Sequence, residues 1–252
     1  MNTSTTLIAH ERPVDMPVSI PSDSAMLEAD WSVPARPRGV VIIASAGNGS
    51  RFTAKTRRIA RILYESGLAT LTLDLLTPDE EIEDALTGAI RLDIDLMAHR
   101  IVAGREWVCG QRAAQGHPFG CLASGVASAG ALVAASRSIN LFAAIVSKHG
   151  RPDLAGVRLH KVRTPTLLLI GESDQRCKEL NRWALRRLDC EKNLETLEGA
   201  SHHFEESEAL DKAGQLAAAW FRRFMLPRHS GLRSMFILNW TERRHTTGMM
   251  RI

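Results

Sequence analysis

Residues 117–131 read HPFGCLASGVASAGA. A short apolar run through Phe119, Cys121 and Leu122 ends in a cluster of glycine, alanine and serine. An apolar helical pattern follows at Leu132, Val133, Ala134 and Ala135. This pattern predicts a buried strand that turns sharply into a helix, with small residues where the backbone packs tightest.

The same alternation extends outward in both directions. Residues 18–23 and 25–34 read as two short strands around a polar turn. Residues 36–45, RPRGVVIIAS, form a buried strand between an Arg-Pro-Arg start and a glycine-rich loop. A helix follows at 55–67, where Ile59, Ile62 and Leu63 share a face and Gly67 marks the stop. Residues 68–77 are the next strand, and 78–111 read as helical, opened by Pro78 and acidic residues suited to a helix N-terminus. Beyond the strand at 117–123 and the helix at 129–137, strands are expected at 141–150, 164–173 and 193–201, and a closing amphipathic helix at 209–225. Strands alternating with helices imply an α/β fold: a mostly parallel central sheet with helices on both faces, in three layers. The expected organisation is a flexible leader at 1–17, a single domain at 18–226 and a basic tail at 227–252.

Composition narrows the function. The 252 residues are 44% hydrophobic and 24% charged, which suits a globular domain able to bury a full core. The net charge of +4 is concentrated beyond Pro227, where five arginines face one glutamate; the preceding chain carries 27 basic and 27 acidic residues. The fold itself has no basic bias, so nucleic acid is not an expected partner. No run reaches the roughly 18 apolar residues of a membrane span, and the first residues lack a secretory pattern. Cys109, Cys121, Cys177 and Cys190 lack C-x-x-C spacing, which predicts neither a zinc cluster nor a disulfide framework. Reduced thiols in a cytoplasm fit best.

Chemistry in a parallel sheet sits at the C-terminal strand edge. The first loop there, SAGNGSRF at 45–52, brings Ser45, Ala46, Gly47 and Gly49, whose backbone amides can approach a ligand; no G-x-x-x-x-G-K-[ST] phosphate loop is present. Asp174 follows a buried strand in LIGESD, placed either to orient a histidine or to make an Asx-turn. His202 and His203 follow the last strand in LEGASHHF. Adjacent histidines as a metal pair lack a third ligand of recognisable spacing, so no metal is expected. An acid and then a histidine, both at strand ends, match the order Ser…Asp…His. At the 117–131 turn, a nucleophile in the G-x-S-x-G pattern needs small residues two places to either side. Ser124 has Leu122 and Val126 there. Gly125 has Ala123 and Ala127 but no reactive group. Ser128 has Val126 and Gly130, at the cost of lengthening the strand and shortening the helix. Sterics favour Gly125 as the turn centre.

The runs TLDLLTPDEE, RLDIDLMAHRIV, HGRPDLAG, PTLLLIGESD, ELNR and EGASHHFEE resemble the dienelactone hydrolase-like branch of the α/β-hydrolases, over roughly residues 38–226. The resemblance implies an α/β-hydrolase fold and cofactor-free hydrolysis of a small ester or lactone by a Ser-His-Asp triad. By position, Asp174 falls on the acid and His202 on the histidine, while His203 replaces a usually apolar residue. Ser45 and Ala46 replace the first two residues of a His-Gly-Ser-Gly loop, and Gly47, Gly49 and Arg51 keep its glycine-rich, basic character. Ungapped alignment puts Gly125 on the nucleophile serine; a slip of three residues would put Ser128 there. Two functions follow. One is a hydrolase with Ser128 as displaced nucleophile and Val126 and the 45–49 loop as oxyanion donors. The other is a non-hydrolytic relative that binds a small molecule or uses His202 as a general base.

Overall fold

The computed structural model describes residues 15–47 and 50–225. The expected leader up to residue 14, Gly49 and the basic tail at 227–252 lie outside them. Strands β1 (Met16–Ser22) and β2 (Ala25–Ser32) form an antiparallel hairpin. Met16 and Pro17 therefore belong to the sheet rather than to the leader expected over 1–17. Strands β3 (Val40–Ser45), β4 (Ala69–Asp74), β5 (Phe119–Ser124), β6 (Ala144–Lys148), β7 (Thr166–Gly171) and β8 (Lys192–Leu197) complete an eight-stranded sheet in the order β1-β2-β4-β3-β5-β6-β7-β8. The hairpin joins β4 antiparallel, and the remaining pairs are parallel.

Each central strand is apolar on both faces, as a doubly covered sheet requires. Within β3, Val40, Ile42 and Ala44 face one core and Val41 and Ile43 the other. The first core is closed by α3 (Ile94–Cys109), α4 (Ala127–Arg137) and α5 (Gln175–Arg187), through Met97, Ile101, Leu132 and Ala184. The second is closed by α1 (Ala54–Glu65) and α6 (Ser207–Met225), through Ile59, Leu63, Ala213, Ala217 and Phe221. These are the three layers expected from the alternation of elements.

Two elements differ from the sequence reading. The helical stretch at 78–111 is two helices, α2 (Pro78–Thr87) and α3. Gly88 ends the first with a left-handed φ of 64°, and the Asp93 side chain caps the second by accepting from Leu96 N at 2.9 Å. Helix α5 was not anticipated. Its buried face is Cys177, Asn181, Ala184 and Leu188, a stripe too thin and too polar to stand out among six charged neighbours.

The β4–α2 junction is fixed by one carboxylate. Glu80 closes a capping box with Thr77 and takes two bonds from buried Arg100, each at 2.6 Å, while Arg100 also donates to Leu75 O. The Arg100 hydrogen bonds hold the Glu80 carboxyl below its usual pKa. A depressed folded-state pKa stabilises above the unfolded-state value and is lost as pH falls through the folded one. Glu80→Gln is therefore expected to lower unfolding free energy by about 1–2 kcal/mol at neutral pH. In urea titrations the gap to wild type closes as the pH drops below about 4.

Candidate active site

Strand β5 ends at Ser124, and the chain turns through Gly125 and Val126 into α4. Gly125 carries a φ of +57°, the left-handed region that disfavours side chains. A Cβ built there would meet no atom within 4 Å among the described residues. Gly125 thus lies in the turn between β5 and α4 with open space around its Cα. The amides of Val126 and Ala127 open α4, where helical N–H groups lack partners within the helix.

Ser128, the other candidate at this turn, lies inside the fold. It is fully buried; its Oγ donates to Gly125 O at 2.5 Å and accepts from Arg151 N at 2.9 Å. Arg151 N also reaches Gly125 O at 3.0 Å. The reason is helical geometry: α4 is buried at every position from Ala127 to Ala135, so its second residue faces protein. The loop after β6 presses on it so closely that a Cβ on Gly150 would lie 2.3 Å from Ser128 Oγ and 1.9 Å from Ser147 Oγ. Gly150 is thus demanded by contact, and its carbonyl is held in turn by Asn181 Nδ2 at 3.0 Å from α5.

Asp174 and His202 do meet. Asp174 Oδ1 caps α5 by accepting from Cys177 N at 2.9 Å, and Oδ2 pairs with His202 Nδ1. One carboxylate oxygen serves the helix cap and the other meets the imidazole. Their loops are zipped together by Ser173 Oγ donating to Ala200 O at 3.0 Å, Ser173 N to Ala200 O at 3.3 Å, and Gly199 N to Glu172 Oε2 at 3.0 Å. With Nδ1 on the carboxylate, His202 keeps Nε2 for other partners.

The described residues on either side of 48–49, at 45–47 and 50–53, are anchored to the sheet. Ala46 is buried, and Ser45 and Gly47 are partly exposed. Arg51 is buried and points away from a ligand-binding role. It pairs with Asp74 at 3.0 Å, Asp30 at 3.1 Å and Glu28, and its backbone N–H donates to Asp74 Oδ1. A small cleft beside this ion cluster, lined by Asp30, Arg57 and Thr72, lies away from the Asp174–His202 pair.

Two residues missed in the sequence stand at the same strand edge. Lys148, the last residue of β6, pairs in register with Ser124. It is buried, with Nζ 5.4 Å from the Phe204 ring centre. Burial, helped by Lys55, lowers its pKa to about 8. His149 follows with φ +40° and is tied to β7 by donating to Leu169 O at 2.8 Å. Its ring lies 5.5 Å from His202 and from His203, while His202 and His203 are 4.4 Å apart. Burial and the neighbouring cations hold His149 well below the ordinary histidine pKa; burial lowers His203 as well. The signal was available: the rule that directed attention to the residues after β3, β5, β7 and β8 applies equally after β6.

No helix among the described residues is long and apolar enough to cross a membrane. No family model matches the chain. Two Mycobacterium tuberculosis proteins (strains CDC 1551 and H37Rv), provisionally named phosphoribosyl transferases, are 36% identical over 207 residues, covering 82% of this chain and 46% of theirs. The chain thus spans about half the length of these curated relatives. Among solved structures, a dienelactone hydrolase-like promiscuous phosphotriesterase from metagenomic libraries shares the fold, with a TM-score of 0.68 at 16% identity over 85% of this chain and 99% of that one. The dienelactone hydrolase from Anabaena variabilis ATCC 29413 aligns with a TM-score of 0.80 and 36% identity, over 85% of this chain and 99% of that one. With that identity sustained over the whole α/β domain, the chain belongs to the dienelactone hydrolase family.

Proposed function

We propose that the protein acts on a small ester or lactone through general-base chemistry by the Asp174–His202 pair, without an acyl-enzyme. The observation that carries this is the contrast at the strand edge. Asp174 and His202 are paired, while the residue at the turn is Gly125, and Ser128, three residues on, is fully buried. His202 Nε2 takes a proton from water as its oxygen adds to the carbonyl carbon. The amides of Val126 and of the Ser45–Ala46–Gly47 segment receive the resulting oxyanion. When that intermediate collapses, the C–O bond to the leaving group breaks and the imidazolium returns the proton to the departing oxygen. Asp174 fixes the ring orientation and stabilises its charged form. The balance is ester plus water to acid plus alcohol, with no organic cofactor required.

Gly125 also favours a second reading: a non-hydrolytic relative that binds a small molecule in the same place. The phosphoribosyl transfer named for the mycobacterial relatives is not carried over, because this chain matches less than half of their length.

Fluorophosphonate labelling followed by mass spectrometry separates the readings. Wild type is expected to form no adduct at Ser128 yet to hydrolyse activated acetate esters slowly, and His202→Ala to lose on the order of 100-fold or more of that rate. No turnover at all sinks the hydrolytic reading in favour of the binder; a Ser128 adduct sinks both the general-base mechanism and the buried role of Ser128.

Gly125→Ser is expected to gain both a labelled serine and esterase activity, on the order of 100-fold above wild type, since a side chain at this turn meets open space. The positive φ costs this variant about 1–3 kcal/mol of stability. Ser128→Ala is expected to lower stability by about 1–2 kcal/mol through the two lost hydroxyl hydrogen bonds, read by thermal melting, while leaving the labelling pattern as in wild type.

A further inference from the structure

We infer that His149, His202 and His203 form a three-imidazole site for a borderline divalent transition ion such as Zn²⁺, with Asp174 supporting it from behind His202. One ring nitrogen of each histidine lies within 4.8 Å of the others. Tetrahedral zinc with Zn–N bonds of about 2.0–2.1 Å sets nitrogen separations at about 3.4 Å. Closing the cluster takes about 1.4 Å of ring movement, and the exposed His203 is free to supply it. His149 arrives with Nδ1 buried and without a hydrogen-bond partner, a polar atom that a ligand would satisfy. The pairing of His202 Nδ1 with Asp174 leaves Nε2 for the ion, in the carboxylate–histidine–metal relay that fixes a ligand's tautomer and raises its basicity.

The three rings come from two loops far apart in sequence, after β6 and after β8, and both loops are independently braced. His149 is tied to β7 through Leu169 O, and the 198–203 loop to the segment 172–174. Lys148 and Lys55 face the histidines and weaken their hold on any cation. The expected affinity is therefore moderate, in the micromolar range, against the far tighter binding of an all-thiolate structural site. A second set that shares His202, formed with Asp174 and Cys177, competes for the same ion. It would require the carboxylate to abandon the α5 cap or His202, and the buried Cys177 thiol is pushed up to about 11, far from a ready thiolate.

An ion on His202 Nε2 occupies the atom assigned above as the base. This consequence rests on the proposed function: metal binding and general-base turnover exclude one another, so Zn²⁺ acts as an inhibitor.

The full-length protein, stripped with a chelator, would be titrated with Zn²⁺ by calorimetry and with Co²⁺ by visible absorption. The expected result is one ion per chain, with the intense visible bands of four-coordinate cobalt. His203→Gln changes an exposed side chain, and His149→Asn keeps a residue that tolerates positive φ. Each is expected to weaken binding by at least about 10-fold, whereas Cys177→Ser leaves it unchanged. Absence of binding, binding indifferent to both histidine variants, or a thiolate–cobalt band lost in Cys177→Ser would each overturn the site. Inhibition of ester turnover at the same Zn²⁺ concentrations supports the link to His202. An inactive protein that still binds the ion refutes the hydrolytic reading and leaves the metal site standing.

Discussion

The geometry of this strand edge hangs on a buried hydroxyl. Ser128 Oγ bridges the carbonyl of Gly125 and the amide of Arg151, joining the turn after β5 to the loop after β6. The carbonyl and the amide also bond each other directly at 3.0 Å, and the hydroxyl adds one hydrogen bond to each in a buried interior. The bridge forms only because residue 150 has no side chain, and the 150 carbonyl is captured by Asn181 on α5. Turn, loop and helix are thus one unit, and it decides where His149 stands relative to His202.

From this unit the chemistry follows in two directions. The Ser128 hydroxyl is buried in two backbone hydrogen bonds, and Gly125 at the turn carries no side chain. At the same strand edge stands an imidazole backed by a carboxylate, His202 on Asp174. The proposed function uses that imidazole to move protons. The same imidazole stands among two others, which makes it equally a ligand. The two lysines at this edge raise the local positive potential, favouring anionic transition states and opposing cations.

Much of the fold was legible because the sheet is buried on both sides. Runs such as VVIIA and TLLLI are continuous and bounded by glycine or proline, and the amphipathic helices α1 and α6 repeat their apolar residues at helical spacing. Helix α5 escaped because its buried stripe includes Cys177 and Asn181, which carry little hydrophobic signal yet pack and hydrogen-bond well. The break between α2 and α3 is marked by Gly88 and Asp93, yet the residues on either side keep helical character and mask it.

The sequence by itself determined the order of strands and helices, the strand-end positions of Asp174 and His202, and the small residues around Gly125, since these follow from local periodicity and sterics. It left Gly125 and Ser128 both open as the turn's key residue. Only the tertiary structure placed the Ser128 side chain in a buried position, because the direction a side chain takes at the start of a helix depends on what covers that helix, and here α4 is buried from Ala127 to Ala135. The meeting of His149 with His202 and His203 was likewise a tertiary outcome. Residues more than fifty positions apart meet because parallel strands β6 and β8 end at the same edge, and no spacing rule within one loop records that.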